Sequence, residues 1–290
     1  MESPSPQISS PAKPSLLAQD LRGKVALVTG ATRGIGRATA LHLASRGACI
    51  LGTCSSPASL DRIKSLEQTV EQLYSSSNLD APKIVGLPAD VLSPDFSAVI
   101  ADKTRDEFDS KLNIIVNNAV YCDFRPIGEL DVDYVQRVLV GNVQSLVLMM
   151  DLLLKKGYIQ PESRIVNISS DASRSNIPFR SGMMLYASAK AAMESLTRSW
   201  ADILSQDPRT LGTTVNSLSV GGTATDSFIG NNAPEARDAA LKVLRDGKSV
   251  HNGLGLPEDV ANVAGLIVSD AARWINGSVV AANGGAVKIM

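Results

Sequence analysis

Histidine is almost missing from this chain: His42 and His251 are the only two in 290 residues. There is no His-Glu-x-x-His pattern, and Cys49, Cys54 and Cys122 form no Cys-x-x-Cys pair. An odd number of unclustered cysteines and two isolated histidines argue against a disulfide framework and against a zinc site, so no metal centre is expected. An excess of one charge is missing as well. The 28 basic residues face 29 acidic ones, for a net charge of −1, and no basic block occurs. That balance speaks against nucleic acid or an anionic membrane surface as a partner. No unbroken run of 18 apolar residues exists, so no membrane span is expected. The first residues hold no apolar core of a secretory signal, and a single Lys13 is too little for a mitochondrial transit segment. The expected location is the cytoplasm.

What is present is a large apolar fraction, 44% of the residues, enough for a sizeable core. From Met1 to about Asp20 the chain is rich in Ser and Pro. Pro4, Pro6, Pro11 and Pro14 forbid a regular helix or a central strand, and residues 1–20 are expected to form a disordered tail. From Lys24 onward, short apolar runs alternate with helical patterns. Strands are expected at Val25–Val28, Cys49–Leu51, Ile84–Leu87, Leu112–Val116, Arg164–Ile168 and Thr214–Leu218, with a seventh near Ser278 to Ala281. Helices are expected at Gly36–Ser45, Leu60–Tyr74, Phe96–Asp109, Val132–Lys155, Leu185–Leu204 and Pro257–Val268. Most of the strands are continuous apolar runs, the mark of strands buried on both faces. The expected fold is α/β: one Rossmann-type doubly wound parallel sheet of about seven strands over residues 21–290, with helices on both faces. No second domain and no internal repeat are visible. Residues 223–253 break the rhythm, with a helical pattern at Pro234–Arg245. An insertion there lies at the carboxyl edge of the sheet, where ligands bind, and is expected to act as a substrate lid. His42 falls within the first predicted helix and reads as structural.

Two short patterns carry chemistry. Thr29-Gly30-Ala31-Thr32-Arg33-Gly34-Ile35-Gly36 follows the first strand and opens the first helix. Glycine there permits a tight turn and close approach of backbone to a pyrophosphate, with a helix N-terminus aimed at the anion. Far downstream, Tyr186 and Lys190 are four residues apart, on one face of a helix. A free phenol has a pKa of about 10, too high for proton exchange near neutrality. A neighbouring ammonium favours the phenolate and lowers that value. A dinucleotide cradle and a mobile phenolic proton together suit the joint movement of a hydride and a proton.

The glycine turn, Asn117-Asn118-Ala119, Tyr186-x-x-x-Lys190 and Asn283-Gly284-Gly285 occur in an order that resembles the short-chain dehydrogenase/reductase family, from about Leu21 to Ala286. The chain looks most like the oxoacyl-reductase-like branch, including reductases of fungal secondary metabolism. The resemblance implies that Gly30, Arg33, Gly34, Ile35 and Gly36 hold the dinucleotide and that Asp90 bonds the adenine with Val91 beside it. Asn117 would support the central strand and line the adenosine side. Gly221, Thr223 and Thr225 would surround the nicotinamide amide. Tyr186 becomes the acid/base, and Lys190 also holds the nicotinamide ribose. Ser170 polarises the substrate oxygen, with Ser169 as its competitor. Asn142 holds a water that links Lys190 to solvent. Gly141, beside it, costs helix stability of roughly 1 kcal/mol and marks a kink. Members of the family are commonly homodimers or homotetramers.

Cofactor choice follows from charge. Relatives that prefer NAD place an acidic residue at the end of the second strand. Here that end reads Gly52-Thr53-Cys54-Ser55-Ser56. No carboxylate repels a 2′-phosphate, Thr53, Ser55 and Ser56 are neutral donors, and Arg33 offers a guanidinium. NADP(H) is the expected cofactor. The expected reaction is NADPH-dependent reduction of a carbonyl, or the reverse oxidation of an alcohol, on a medium or large apolar metabolite. A non-redox cyclase or isomerase, or an NADP(H)-binding scaffold, is the alternative use of the same fold. Two departures bear on this choice. Val120 stands where the family has glycine after Asn-Asn-Ala, and the segment from Ser170 to Tyr186 is longer than usual, with Asp171, Arg174, Arg180 and Met183-Met184.

Overall fold

The computed structural model describes residues 13–175, 181–226, 228, 250 and 254–288. Most of the expected lid at 223–253, including the expected helix at 234–245, lies outside the described residues. So do residues 1–12 of the expected tail, and Arg180.

A parallel sheet of seven strands has the order β3-β2-β1-β4-β5-β6-β7. Its strands are β1 (Val25–Val28), β2 (Cys49–Cys54), β3 (Ile84–Pro88), β4 (Leu112–Asn117), β5 (Ile159–Ser170), β6 (Thr214–Val220) and β7 (Val279–Ala282). The chain moves outward from β1 to β3, then returns to β4 on the other side of β1. The crevice between the carboxyl ends of β1 and β4 is the topological switch point, where open α/β sheets bind ligands. Helices cover both faces: α1 (Gly34–Ser45), α2 (Leu60–Ser75), α3 (Phe96–Phe108), α4 (Val132–Leu139), α5 (Ser145–Lys155), α6 (Met184–Gln206) and α7 (Pro257–Ile267).

The alternation of a strand's side chains splits the core into two layers. Ala26 and Val28 of β1 join Leu43, Ile63 and Val260, from α1, α2 and α7. Leu27, between them in sequence, joins Ile100, Met149 and Met193, from α3, α5 and α6. Helices α1 and α7 touch closely. A Cβ on Gly265 would stand 2.0 Å from Nε2 of His42, so glycine there is what admits the imidazole. Burial lowers the pKa of His42, with a smaller push in the same direction from Arg46. This is the structural role the sequence suggests for His42.

Three features differ from expectation. The helix expected at Val132–Lys155 is interrupted by a π turn at Val140–Gln144, the kink that Gly141 foreshadows. By length and mean hydropathy (1.5) the whole stretch is apolar enough to cross a membrane, and 44% of its most apolar window is buried. Within this fold its apolar positions Leu146, Met149, Met150 and Leu153 pack into the layer with α3 and α6. Strand β5 starts five residues before the expected Arg164, because the register against β4 shifts between Leu112 and Ile114 and Glu162 adopts a left-handed backbone (φ 57°).

The tail also ends sooner than expected. Leu16 packs on the core, and the Leu17 amide donates to Ser45 O at 3.1 Å. Gln19 Nε2 donates to Ser45 O at 2.8 Å, and Tyr74 OH donates to Gln19 Oε1 at 2.7 Å. Arg46 Nε donates to Asp20 Oδ1 at 2.9 Å, while its Nη1 donates to Gly265 O at 2.6 Å. The Arg46 guanidinium holds the Asp20 carboxyl below its ordinary pKa. Residues 16–20 are therefore part of the fold, tied to the ends of α1 and α7. Removing residues 1–12 should leave the melting temperature unchanged. Removing residues 1–20 strips several partly buried bonds, each contributing about 1 kcal/mol, and should lower it by roughly 4–8 °C. Equal melting temperatures for the two truncations would contradict this docking.

Candidate active site

The turn after β1 is assembled from three strands. Thr29 Oγ1 accepts the amides of Asn118 (2.9 Å) and Ala119 (3.0 Å). The Gly30 amide donates to Thr53 Oγ1 at 3.0 Å, and the Ala31 amide to Thr53 O at 2.9 Å. Asn118 Nδ2 donates to the carbonyls of Thr29 (2.9 Å) and Gly30 (3.2 Å). Gly30 and Gly34 hold φ of 70° and 53°, values that L side chains avoid. A Cβ on Gly36 would lie 2.2 Å from Gly30 O. The turn thus folds tightly onto the first turn of α1, which has no acidic residue to compensate its dipole. The result is an anion-ready helix end.

That helix end opens into a cleft of about 480 Å³, where Gly30, Arg33, Gly34, Ile35, Thr53, Ser55, Asp90, Val91 and Thr225 meet, as expected of a common site. Asn118, Val120, Tyr121 and Cys122 form its β4 side. Arg33 is exposed there, and no described residue pairs with its guanidinium. Asp90 Oδ1 accepts the Leu92 amide at 3.0 Å, which fixes its loop at the rim.

Five expected contacts sit differently. Thr53 is fully buried and holds the turn, so Ser55 is the exposed neutral donor at this end. Gly36 lies beneath the turn. Asn117 is 2% exposed, and its Nδ2 donates to Asn167 Oδ1 at 2.7 Å, tying β4 to β5. It faces a small buried cavity rather than the open cleft. Gly221 packs on Asn283, whose Cβ would be 2.7 Å from an added Cβ, so the terminal Asn283-Gly284-Gly285 motif braces the end of β6. Buried Thr223 donates to Gly221 O at 3.0 Å. Thr225 is the member of this segment that reaches the cleft, with its methyl 3.1 Å from the Cβ position of Gly34.

Helix α6 carries Tyr186 and Lys190, the expected acid/base pair. Tyr186 is half-buried and Lys190 is 3% exposed. Lys190 Nζ lies 5.8 Å from the Tyr186 ring centroid and donates to Ile168 O at 2.6 Å. Burial pushes its pKa down to about 8, and negative charge on Cys122, as thiolate, acts in the opposite sense. Cys122 also lines the cleft, whose lining includes neither Tyr186 nor Lys190. Ser170 ends β5 on the same side, and its Oγ accepts the Ala172 amide at 3.2 Å. Ser169, its neighbour, points into the protein and donates to Glu194 Oε1 at 2.8 Å. Alternation along the strand points Ser170 to the opposite face from Ser169, at the carboxyl end of the sheet.

Asn142, in the π turn, clasps the backbone of Tyr121: the Tyr121 amide donates to Oδ1 and Nδ2 donates to Tyr121 O, both at 2.9 Å. Gly141 makes this approach possible, because a Cβ there would be 2.6 Å from Tyr121 Cβ. Val120 is not among the described residues with positive φ. It does without the backbone conformation for which glycine is suited, and it is 40% exposed beside the cleft. Two residues without a role in the sequence reading stand out. Phe124 packs edge-on against Tyr186, with ring centroids 5.6 Å apart. Glu194 is buried one turn beyond Lys190. Its periodicity was readable, since a glutamate four residues after Lys190 shares its helix face, but its partners lie at the end of β5 and in the turn after it.

The family profile described as enoyl-(acyl carrier protein) reductase matches residues 30–287. The chain is a member of the short-chain dehydrogenase/reductase family. Among its relatives, the short chain dehydrogenase penD of Penicillium thymicola is 32% identical over 272 residues, 91% of this chain and 92% of that protein. The 3-oxoacyl-[acyl-carrier-protein] reductase FabG of Pseudomonas aeruginosa is 33% identical over 266 residues, 91% of this chain and 98% of that one. A solved short-chain dehydrogenase from Burkholderia cenocepacia, in complex with NADP, is 30% identical with a TM-score of 0.75, covering 92% of this chain and 99% of that one. As a short-chain dehydrogenase/reductase, the protein is an oxidoreductase that uses a nicotinamide dinucleotide on a carbonyl or alcohol. The glycine cradle, the bare helix end and the unpaired Arg33 fit the phosphates of such a cofactor.

Buried Lys190 makes a signed prediction. The folded chain releases its proton near pH 8, while the unfolded chain holds it to about 10.5. Between these values the unfolded state binds more protons, so stability rises with pH. A Lys190→Met variant lacks the group. The unfolding free energy of wild type minus that of the variant should therefore climb from pH 8 to 10.5, by on the order of 1–3 kcal/mol. Urea titrations at several pH values measure it, and a flat difference would mean the ammonium is well solvated.

Proposed function

We propose that the protein is an NADPH-dependent reductase of a ketone on a medium or large, largely apolar metabolite, within secondary metabolism, with alcohol oxidation as the reverse reaction. The observation that carries the cofactor preference is the unpaired Arg33 guanidinium beside exposed Ser55, at a strand end without a carboxylate. The cofactor supplies the hydride. The chain's own groups do the rest. Ser170 donates a hydrogen bond to the substrate oxygen. Tyr186 delivers the proton to that oxygen as negative charge develops on it, the moment at which binding has catalytic value. Lys190 stabilises the phenolate left behind and holds the nicotinamide ribose. Asn142 and Asn117 face a cavity of about 20 Å³ beside Met193, room for one water, and Asn117 Oδ1 accepts no bond within it. We assign this cavity to the water that connects Lys190 to solvent. Val120, Phe124 and Met184, each at least 40% exposed, give the pocket an apolar wall. Leu148 and Ile203, also exposed on α5 and α6, suit a homodimer or homotetramer interface.

NADPH oxidation with menadione, ethyl acetoacetate and cyclohexanone tests the reaction. Turnover of none of them by the wild type would overturn the reductase reading. Tyr186→Phe should lose nearly all turnover and keep NADPH affinity within a few-fold, because the phenolic proton matters only in the transition state. For the cofactor, Kd values for NADPH and NADH are compared in wild type and Arg33→Ala at fixed salt. A charge-assisted bond to phosphate contributes on the order of 1.5–3 kcal/mol, so NADPH should weaken roughly ten- to a hundred-fold and NADH hardly at all. Equal weakening of both would move the preference away from Arg33.

A further inference from the structure

Glu194 belongs neither to the acid/base pair nor to the cofactor cleft, yet it is the carboxylate on which the surroundings of Ser170 converge. It is 4% exposed, and a buried carboxylate is costly unless its oxygens are matched by donors. Here both are. Oε1 accepts from Ser169 Oγ at 2.8 Å and lies 2.7 Å from Ser173 Oγ. Oε2 accepts from Arg174 Nε at 2.9 Å, with Arg174 Nη2 also at 2.9 Å. The Ser173 hydroxyl stands 2.6 Å from Ser170 O as well, so its one proton serves either the carboxylate or that carbonyl. Every described donor to the Glu194 carboxylate is thus within four residues of Ser170, on both sides of it. The same helix grips the strand once more through Lys190 and Ile168 O.

The strand itself cannot orient Ser170 unaided. Ser170 is the last residue of β5 to pair with β6, opposite Val220, and the chain then leaves the sheet in a short turn, Asp171–Ser173. The hydroxyl's direction depends on that turn, through the Ala172 amide that bonds Ser170 Oγ. What holds the turn on α6 is Glu194.

We propose that Glu194 is a positioning residue: through Ser169, Ser173 and Arg174 it sets the Ser170 hydroxyl at a fixed place relative to the Tyr186 phenol on the same helix. This rests on the role of Ser170 proposed above. The ion pair with Arg174 is one-third exposed on the arginine side and buried on the glutamate side, so the charge is shielded where it meets the serines.

A double-mutant cycle on kcat separates this from simple structural support. The variants are Glu194→Gln, Ser170→Ala and the pair, assayed with NADPH and whichever of the three carbonyl probes wild type reduces fastest. Misplacement of a reacting group by a fraction of an ångström costs about tenfold in rate. Glu194→Gln should therefore lower kcat about tenfold in the wild-type background and less than twofold in the Ser170→Ala background. The Kd for NADPH should stay within twofold in both. Equal losses in the two backgrounds, or a lower melting temperature with unchanged kcat, would overturn the positioning role. Should Glu194→Gln fail to fold, Arg174→Gln enters the same cycle, with about a threefold loss expected only when Ser170 is present. Full activity in Ser170→Ala would instead sink the Ser170 assignment itself, an outcome distinct from additivity in a crippled Ser170→Ala.

Discussion

The side-chain amide of Asn118 holds together the place where β1 and β4 part. It donates to two successive carbonyls of the glycine turn, and it does so only because Gly36 has no side chain: a Cβ there would lie 2.4 Å from Asn118 Nδ2. This one contact links the return of the chain from β3 to β4 with the direction of α1. If the turn opened, the helix end would no longer face the crevice, and Thr225, which rests on Gly34, would lose its seat. Cofactor cradle and sheet topology are therefore one feature seen from two sides.

The second organising element is α6, which faces three environments along one stripe. Tyr186 packs edge-on against Phe124, Lys190 is desolvated against the Ile168 carbonyl, and the Glu194 carboxylate is saturated by donors from the end of β5 and the turn after it. A cation and an anion one turn apart on the same helix do not touch in this arrangement. Each is bound to the strand instead, so the strand end is held by charges of both signs. Burial of the ammonium costs stability, as its depressed pKa shows. A similar penalty near functional groups recurs where proteins tune proton transfer.

Much of this was legible in sequence because it depends on local pattern. Apolar runs, most of them continuous, marked the seven strands, and glycine spacing located the tight turn after β1. The four-residue step from Tyr186 to Lys190 put both on one face. What was not legible depends on contacts between distant segments. The burial of Thr53 arises from Gly30, which leans across from another strand. The tail's docking depends on Asp20 meeting Arg46, a pairing that a Pro- and Ser-rich composition conceals. Asn117 faces inward because Asn167 on the next strand is its partner, a match no spacing announces. Ser170 and Ser169 could be ranked from sequence only through resemblance; the structure separates them physically, since Glu194 takes the hydroxyl of Ser169. Val120 departs from the family's glycine without strain, because the backbone at that point does not adopt positive φ.

The π turn at Val140–Gln144 has a consequence for rotational phase. A helical residue turns the chain by about 100°, and a π turn carries one residue more than an α turn in the same span. Ahead of it α4 buries Tyr134 and Val138, and behind it α5 buries Leu146, Met149, Met150 and Leu153. The α5 stripe joins the layer with α3 and α6, and the wider turn takes up its extra residue without lengthening the span between the two helices. Taking out one residue between Leu139 and Ser145 would let the π turn relax to an α turn of the same span, with the α5 stripe still facing the sheet, whereas taking out one residue within α5 would swing everything beyond it by about a quarter-turn. Deletions are therefore unequal along this stretch: chain length is tolerated at the π turn and read strictly beyond it.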